Sequence, residues 1–279
     1  MSPPVPRLRQ HGPVTEITLD ATLGGKVLYP FRAYFVDGLL IDTGPPRQAA
    51  GFAAAMQHLG VEQAVNTHHH EDHAGNNRML HDRFGVTPWA HATAVPLLER
   101  LPPIQLYRRL TWGGAADAPA RPLGEWLETP NYRFRVLHTP GHSPDHIVLH
   151  EPNEGWLFGG DLYIADRLKL LRREENPHVL LDSIERTLEA PFETIFCAHR
   201  GVVAGGHAAL MRKRDFMGEV RDQTLALHER GLDEGAIAKK LLGPTDFLEL
   251  ISTGDFSRIN LVRAYLPGWP GPARMPERR

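Results

Sequence analysis

The sequence predicts a mixed α/β domain followed by a helical tail. Three observations carry that prediction. Short segments rich in β-branched and aromatic residues alternate with segments of helical character along most of the chain. Glycine and proline punctuate the boundaries between them. Beyond about Ala208 only helical segments remain, LMRKRDFMGEVRDQTLALHERG and DEGAIAKKLLG.

The elements follow in order. EITLD (16–20), KVLYPFRAYFV (26–36) and LLID (39–42) have strand composition, and Asp37-Gly38 marks a hairpin between the last two. The Ala-rich RQAAGFAAAMQHLG reads as a helix closed by Gly60, and VEQAVNT as a short buried strand running into His68. HAGNNRMLHDRFG (73–85) has helical spacing and closes at Gly85, after which VTPWAHATAV offers a strand and a helix start. Residues 100–130 are broken by Pro and Gly yet hold Tyr107, Trp112 and Trp126. A lid and an irregular surface excursion account for such a stretch equally well. NYRFRVLHTPGHS is a strand ending at Pro140-Gly141, and HIVLHEPNEGWLFGGD a hairpin turning near Pro152–Gly155. Asn176-Pro177 opens the helix HVLLDSIERTLEA, and ETIFCAH is a further strand. The expected organisation is a core over 15–205, a helical extension over 206–266, and loose tails at 1–14 and 267–279, both Pro-rich.

Composition narrows the function classes. With 279 residues, 42% of them hydrophobic and 23% charged, the chain suits one large domain with an appendage. A formal net charge of -2 provides no field to gather nucleic acid or an anionic membrane, and no run approaches the ~20 apolar residues of a membrane span. The single cysteine, Cys197, excludes an intramolecular disulfide and suits a reducing compartment. MSPPVPRLRQHG has no apolar signal region, so a cytoplasmic location is expected.

The chemistry concentrates at strand ends. VNT delivers His68, His70, Asp72 and His73 within HHHEDHAG; RVLHTP delivers His142, WLFGG delivers Asp161, and TIFCA delivers His199. A His-X-His pair points both imidazoles at one ion, and the following Asp-His serves a second. Five histidines and two aspartates exceed one tetrahedral site, whereas two ions sharing a carboxylate fit the count. Such a pair holds a hydroxide between its members and stabilises an attacked oxygen. Histidine and carboxylate donors suit zinc first, with iron or manganese as alternatives.

HHHEDHAG fits the His-X-His-X-Asp-His motif of the metallo-β-lactamase fold superfamily, and TPGHSPDH, FGGD and CAHRG follow in that superfamily's order, with LLIDTG resembling its early strand-turn motif. The resemblance covers about residues 15–205. It implies a four-layer αββα sandwich with two metals at one edge. His68, His70 and His142 would form site one; Asp72, His73 and His199 would form site two, bridged by Asp161. His69, at a variable position, would not be a ligand. Two departures stand out: Ala198-His199-Arg200 replaces the usual Gly-His-Gly, and Asp161 stands where classical β-lactamases often carry Cys. The aspartate resembles the glyoxalase II and lactonase branch, so true β-lactamase activity is not expected. The expected function is hydrolysis of a small-molecule ester, lactone or thioester by a metal-bridging hydroxide that Asp72 orients. A phosphodiesterase or ribonuclease and a di-iron redox module are the alternatives. Tyr163 is similar to a tyrosine that lactonases use on substrate, but one residue closer to the aspartate; a core or lid role competes.

Other residues keep two readings each. His138 and His146 either orient ligands or are structural. Asp42 supports the ligand loops or forms a turn. Cys197 reads as a small buried hydrophobe and Glu71 as solvated. RLKLLRREE (167–175) is a solvated helix face or a pocket wall for an anionic or acyl substrate. The C-terminal helices either cap a pocket or build a homodimer interface.

Overall fold

The computed structural model describes residues 6–23, 26–245 and 247–272. Two mixed sheets lie face to face. The first has seven strands in the spatial order Arg7–His11, Val14–Thr18, Arg32–Val36, Leu39–Ile41, Gln63–Val65, Trp89–Ala90, Arg121–Pro122. The second has six, in the order Trp126–Glu128, Arg133–His138, Ile147–Glu151, Trp156–Gly160, Thr194–Cys197, Gly201–Ala204.

Period-two alternation within the strands builds the layers. Tyr34, Val36, Leu39, Ile41 and Val65 point toward the second sheet and meet Phe134, Ile147, Leu149, Phe158 and Phe196 in one buried cluster. The intervening positions, Ala33, Leu40 and Ala64, face the other way, onto Phe52, Ala55, Met56 and Leu80 of the helices Ala49–Met56 and Asn77–Phe84. On the far side, Val148, Leu157, Ile195 and Cys197 pack against Leu180, Ile184, Leu210 and Met217 from the helices Pro177–Leu188 and Gly206–Glu229. Helix, sheet, sheet, helix is the αββα sandwich that the motif order implied.

Local signals act where expected. Asp37 and Gly38 take φ 49° and 81°, the positive values a two-residue hairpin needs. Asn176 caps its helix by accepting from the His178 and Val179 backbone N–H groups at 3.1 and 3.2 Å, with Pro177 at the first helical position. Among the described residues no helix is long and apolar enough to cross a membrane.

The structure departs from the sequence reading at several places. The sheet begins at Arg7, not after a tail ending at residue 14: Arg7–His11 pairs antiparallel with Val14–Thr18, and its exposed RLRQH carries no apolar pattern to announce it. Gly201–Ala204 adds a strand that a Gly-containing sequence concealed. Within 100–130 the chain forms a helix, Leu106–Trp112. Residues 167–175 are not a helix; Leu171–Arg172 pairs instead with Phe256–Ser257. Of the expected tail at 267–279, Trp269 packs on the C-terminal helices, and residues 273–279 lie outside the described residues.

Candidate metal centre

Strand ends on one edge of the sandwich deliver the seven side chains. Gln63–Val65 runs into the loop carrying His68 and His70, and the single turn Glu71–Ala74 follows with Asp72 and His73. Trp156–Gly160 ends one residue before Asp161, and Thr194–Cys197 two before His199. His142 follows Gly141, whose φ of 131° and close backbone approach leave no room for a side chain: a Cβ there would lie 2.4 Å from Leu180 Cα.

The donor atoms converge. His68 Nε2 and His142 Nε2 each lie 3.0 Å from His70 Nδ1. His199 Nε2 is 3.5 Å and His73 Nε2 3.9 Å from Asp72 Oδ2. Asp161 stands between the groups: Oδ1 is 3.3 Å from both His73 Nε2 and His199 Nε2, while Oδ2 is 3.2 Å from His142 Nε2. His68, His70 and His142, and likewise Asp72, His73 and His199, bring their donor atoms within 4.8 Å of one another, close enough to hold an ion. All seven residues are buried.

Each imidazole that turns Nε2 inward has its other nitrogen engaged. His73 Nδ1 meets Asp42 Oδ2 at 2.7 Å, His142 Nδ1 meets Glu175 Oε1 at 2.7 Å, His199 Nδ1 meets the Pro30 carbonyl at 2.9 Å, and His68 Nδ1 meets Thr67 Oγ1 at 3.1 Å. Such partners fix ring orientation and leave the inward lone pair for a cation. The carboxylate of Asp42 also accepts from the Thr67 backbone N–H at 2.8 Å, tying LLIDTG to the ligand loop. His69, between two donors, turns away and meets Asp145 Oδ1 at 2.8 Å.

Polar satisfaction tests whether cations fit. Asp72 Oδ1, His73 Nε2 and Asp161 Oδ1 are buried without a hydrogen-bond partner among the described residues, an arrangement native interiors avoid unless something else completes it. The charges agree. Burial lowers the basicity of His68 and His70, and neighbouring histidines lower it further. Burial acts the same way on His73 and His199, yet Asp161 and its neighbouring carboxylates overcome it and raise both. The Asp161 carboxyl, despite burial, is held well below its ordinary range by His199, His73 and His142. A pocket of nitrogen and oxygen donors that draws positive charge fits divalent cations.

A chamber of about 330 Å³ opens over these atoms. Asp72, His142, Asp161 and His199 form its floor; Tyr29, Trp112, Leu168, Leu180 and Phe256 are among its walls. Tyr107 and Trp112 on Leu106–Trp112 belong to it, so that helix is one wall of the chamber.

Other expected residues fall elsewhere. Tyr163 does not line the chamber; its buried ring sits among the core residues behind the second sheet, and its hydroxyl donates to Asp166 at 2.5 Å. Glu71 is not solvated: it is 3% exposed and takes a bidentate pair from Arg108 at 2.6 and 2.8 Å. Arg200 is exposed, with its backbone N–H directed to Cys197 Sγ at 3.3 Å. Cys197 is a buried thiol. His146 is a support: its Nε2 accepts from the Asp161 backbone N–H at 3.0 Å, and burial depresses its pKa to about 3. His138 instead stacks on His91, 4.0 Å between centroids. Glu175, Arg172, Tyr29 and Lys213 also face the chamber. Only the mixed run at 167–175 signalled any of them, as a pocket wall.

Comparison with known proteins agrees with this geometry. Hydroxyacylglutathione hydrolase of Chelativorans sp. is 30% identical over 148 residues, 52% of this chain and 50% of that protein. The same-named protein of Xanthomonas euvesicatoria is 29% identical over 202 residues, 72% of this chain and 68% of that one. The chain thus spans about half to two thirds of the length of these relatives. A beta-lactamase domain protein from Burkholderia ambifaria superposes with a TM-score of 0.73 at 16% identity, covering 92% of this chain and 86% of that one, a likeness of fold. The family model of the Metallo-beta-lactamase superfamily matches residues 33–207, from the third strand of the first sheet to just past His199. The chain belongs to the metallo-beta-lactamase superfamily.

Proposed function

We propose that the protein is a dinuclear metal-dependent hydrolase acting on a carbonyl ester, lactone or thioester. One observation carries the reading: the two oxygens of Asp161 face different histidine groups, at 3.2 and 3.3 Å, so a single carboxylate serves two positions. His68, His70 and His142 would hold one ion and Asp72, His73 and His199 the other, with zinc the first candidate and iron or manganese compatible with the same donors. Two divalent cations held there supply a water activated near neutral pH and charge stabilisation for an attacked carbonyl.

The chain's own residues do the rest. Asp72 Oδ1, buried and unpartnered, accepts the hydrogen bond that orients the attacking water. Glu175 and the Pro30 carbonyl hold His142 and His199 in the tautomer that turns Nε2 inward. The walls Leu168, Leu180 and Phe256 seat an acyl group and exclude bulk water. Thioesters lead among the candidate substrates, because relatives covering half or more of the chain are hydroxyacylglutathione hydrolases.

Metal analysis and a panel of thioester, lactone, ester, phosphodiester and β-lactam substrates test this. Thioester or ester turnover that disappears on chelation, and in His142→Ala and Asp161→Ala, is the expected result. Full turnover after metal removal, or a dominant phosphodiesterase activity, would reject it.

A further inference from the structure

The acidic side chains that line the chamber already have a place in the site. Asp72 and Asp161 belong to the donor cluster, and Glu175 accepts from His142 Nδ1 at 2.7 Å and from the Arg172 backbone N–H at 3.1 Å. Of the two buried basic groups, Lys213 directs its ammonium to the Leu162 carbonyl at 2.6 Å.

Arg172 makes no comparably short contact, although the nearby Glu175, Glu174 and Asp72 carboxylates favour its charge. It is 9% exposed, and its Nε has no hydrogen-bond partner among the described residues. Nη1 lies 3.4 Å from His70 Nδ1 and 3.8 Å from Glu174 Oε1. The first contact is lost whenever His70 Nδ1 donates its single lone pair to an ion. The second carboxylate already pairs with Arg108 at 3.1 Å. Phe256 lies against the guanidinium, 5.3 Å from ring centroid to Cζ, and sets its orientation. A buried guanidinium short of acceptors is costly, and an acceptor entering the chamber relieves that cost.

We infer that Arg172 binds a carboxylate on the acyl part of the substrate, so that the enzyme selects esters or thioesters of short dicarboxylic acids over those of neutral acids; this rests on the hydrolase reading above and names its acyl group. The guanidinium's parallel N–H donors match a carboxylate in two-point fashion. Leu168, Leu180 and Phe256 contact the methylenes between the two carbonyl ends. At about 330 Å³ the chamber sits at the small end of the ~300–1,000 Å³ range of ligand pockets, which suits a short chain.

The test uses the metal-loaded full chain and two matched substrate pairs, the monothioesters of succinate and glutarate against the thioesters of butanoate and pentanoate. The wild type is expected to prefer the charged member in kcat/KM, and Arg172→Met to reduce that preference on the order of 100-fold, with Arg172→Lys between them. Metal content is measured on every variant. A wild type without preference, or a variant that slows both members of a pair in equal proportion, would overturn the assignment. If the loaded wild type hydrolyses neither member, the substrate panel above decides on the hydrolase reading, and calorimetric titration with glutarate decides separately on Arg172. Tighter binding to wild type than to Arg172→Met supports it; equal binding overturns it.

Discussion

Replacing Arg108 with Met should destabilise the protein by about 3–5 kcal/mol, the usual cost of stranding one partner of a buried ion pair. The structure supports the upper part of that range. Arg108 and Glu71 are each 3% exposed, joined by two hydrogen bonds of 2.8 and 2.6 Å, and Arg108 also holds Glu174 at 3.1 Å. Removing the guanidinium leaves a carboxylate inside the metal loop, between His70 and Asp72, without its bidentate partner. At ~2–4 °C per kcal/mol for a chain of this size, the melting midpoint should fall by roughly 6–20 °C. Urea denaturation followed by circular dichroism measures the free energy. The decisive comparison is the double variant with Glu71→Gln: once both charges are gone, at least half of the lost stability should return. A single variant within about 0.5 kcal/mol of wild type, or a double variant no better than the single, would refute the claim that this pair ties the helix Leu106–Trp112 to the loop bearing the donors.

Three further outcomes follow from the geometry. Asp42→Asn removes the carboxylate charge beside His73 Nδ1 and leaves one amide oxygen for both the Thr67 backbone N–H and that imidazole, while tolerating the positive φ of 62°, so metal retention against a chelator should weaken ~10–100-fold; unchanged retention would show the contact to be incidental. Asp145, buried but paired with His69, titrates at about 2, below its ordinary value of 3.8. Its stabilisation is therefore complete above that ordinary value and lost as the pH falls through about 2. Wild type should lose ~2 kcal/mol over that window and Asp145→Asn should not, as acid denaturation curves will show. Gly141→Ala should cost at least ~2 kcal/mol and lower the metal stoichiometry, because the new Cβ meets Leu180 backbone at 2.4 Å; a wild-type midpoint and metal content would contradict this.

Residues whose chemistry is written in their type were readable before the structure was seen. Imidazoles and carboxylates at strand ends announce a metal centre, because few other uses need so many donors at such spacing. The β-branched and aromatic composition of 26–36 and 39–42 likewise announced strands, and the structure adds that both of their faces are buried. What escaped notice depends on distant partners. Glu71 looks solvated beside three histidines, and only the fold brings Arg108, 37 positions away, to neutralise it. Arg172 sits in a run whose alternating charge imitates a helix face, yet its backbone is claimed by Phe256. Arg7–His11 joins the sheet by strand pairing backed by polar contacts, Gln10 to Thr15 and His11 to Glu16, and no apolar alternation announces it. Tyr163 shows the reverse failure: a near-correct spacing suggested a substrate contact, and Asp166 three residues on takes the hydroxyl instead.

Lys213 belongs to the 24-residue helix Gly206–Glu229, almost wholly beyond the segment shared with the family, yet its ammonium grips the carbonyl one residue after Asp161. Excising the family-matched segment would thus leave a floor without one of its braces and without the Phe256 side of its chamber. The far wall of the chamber is written in a stretch of chain separate from the strands that carry the donors, and exchanging that stretch would reshape the space above Asp161 while leaving the donor cluster and Arg172 in place.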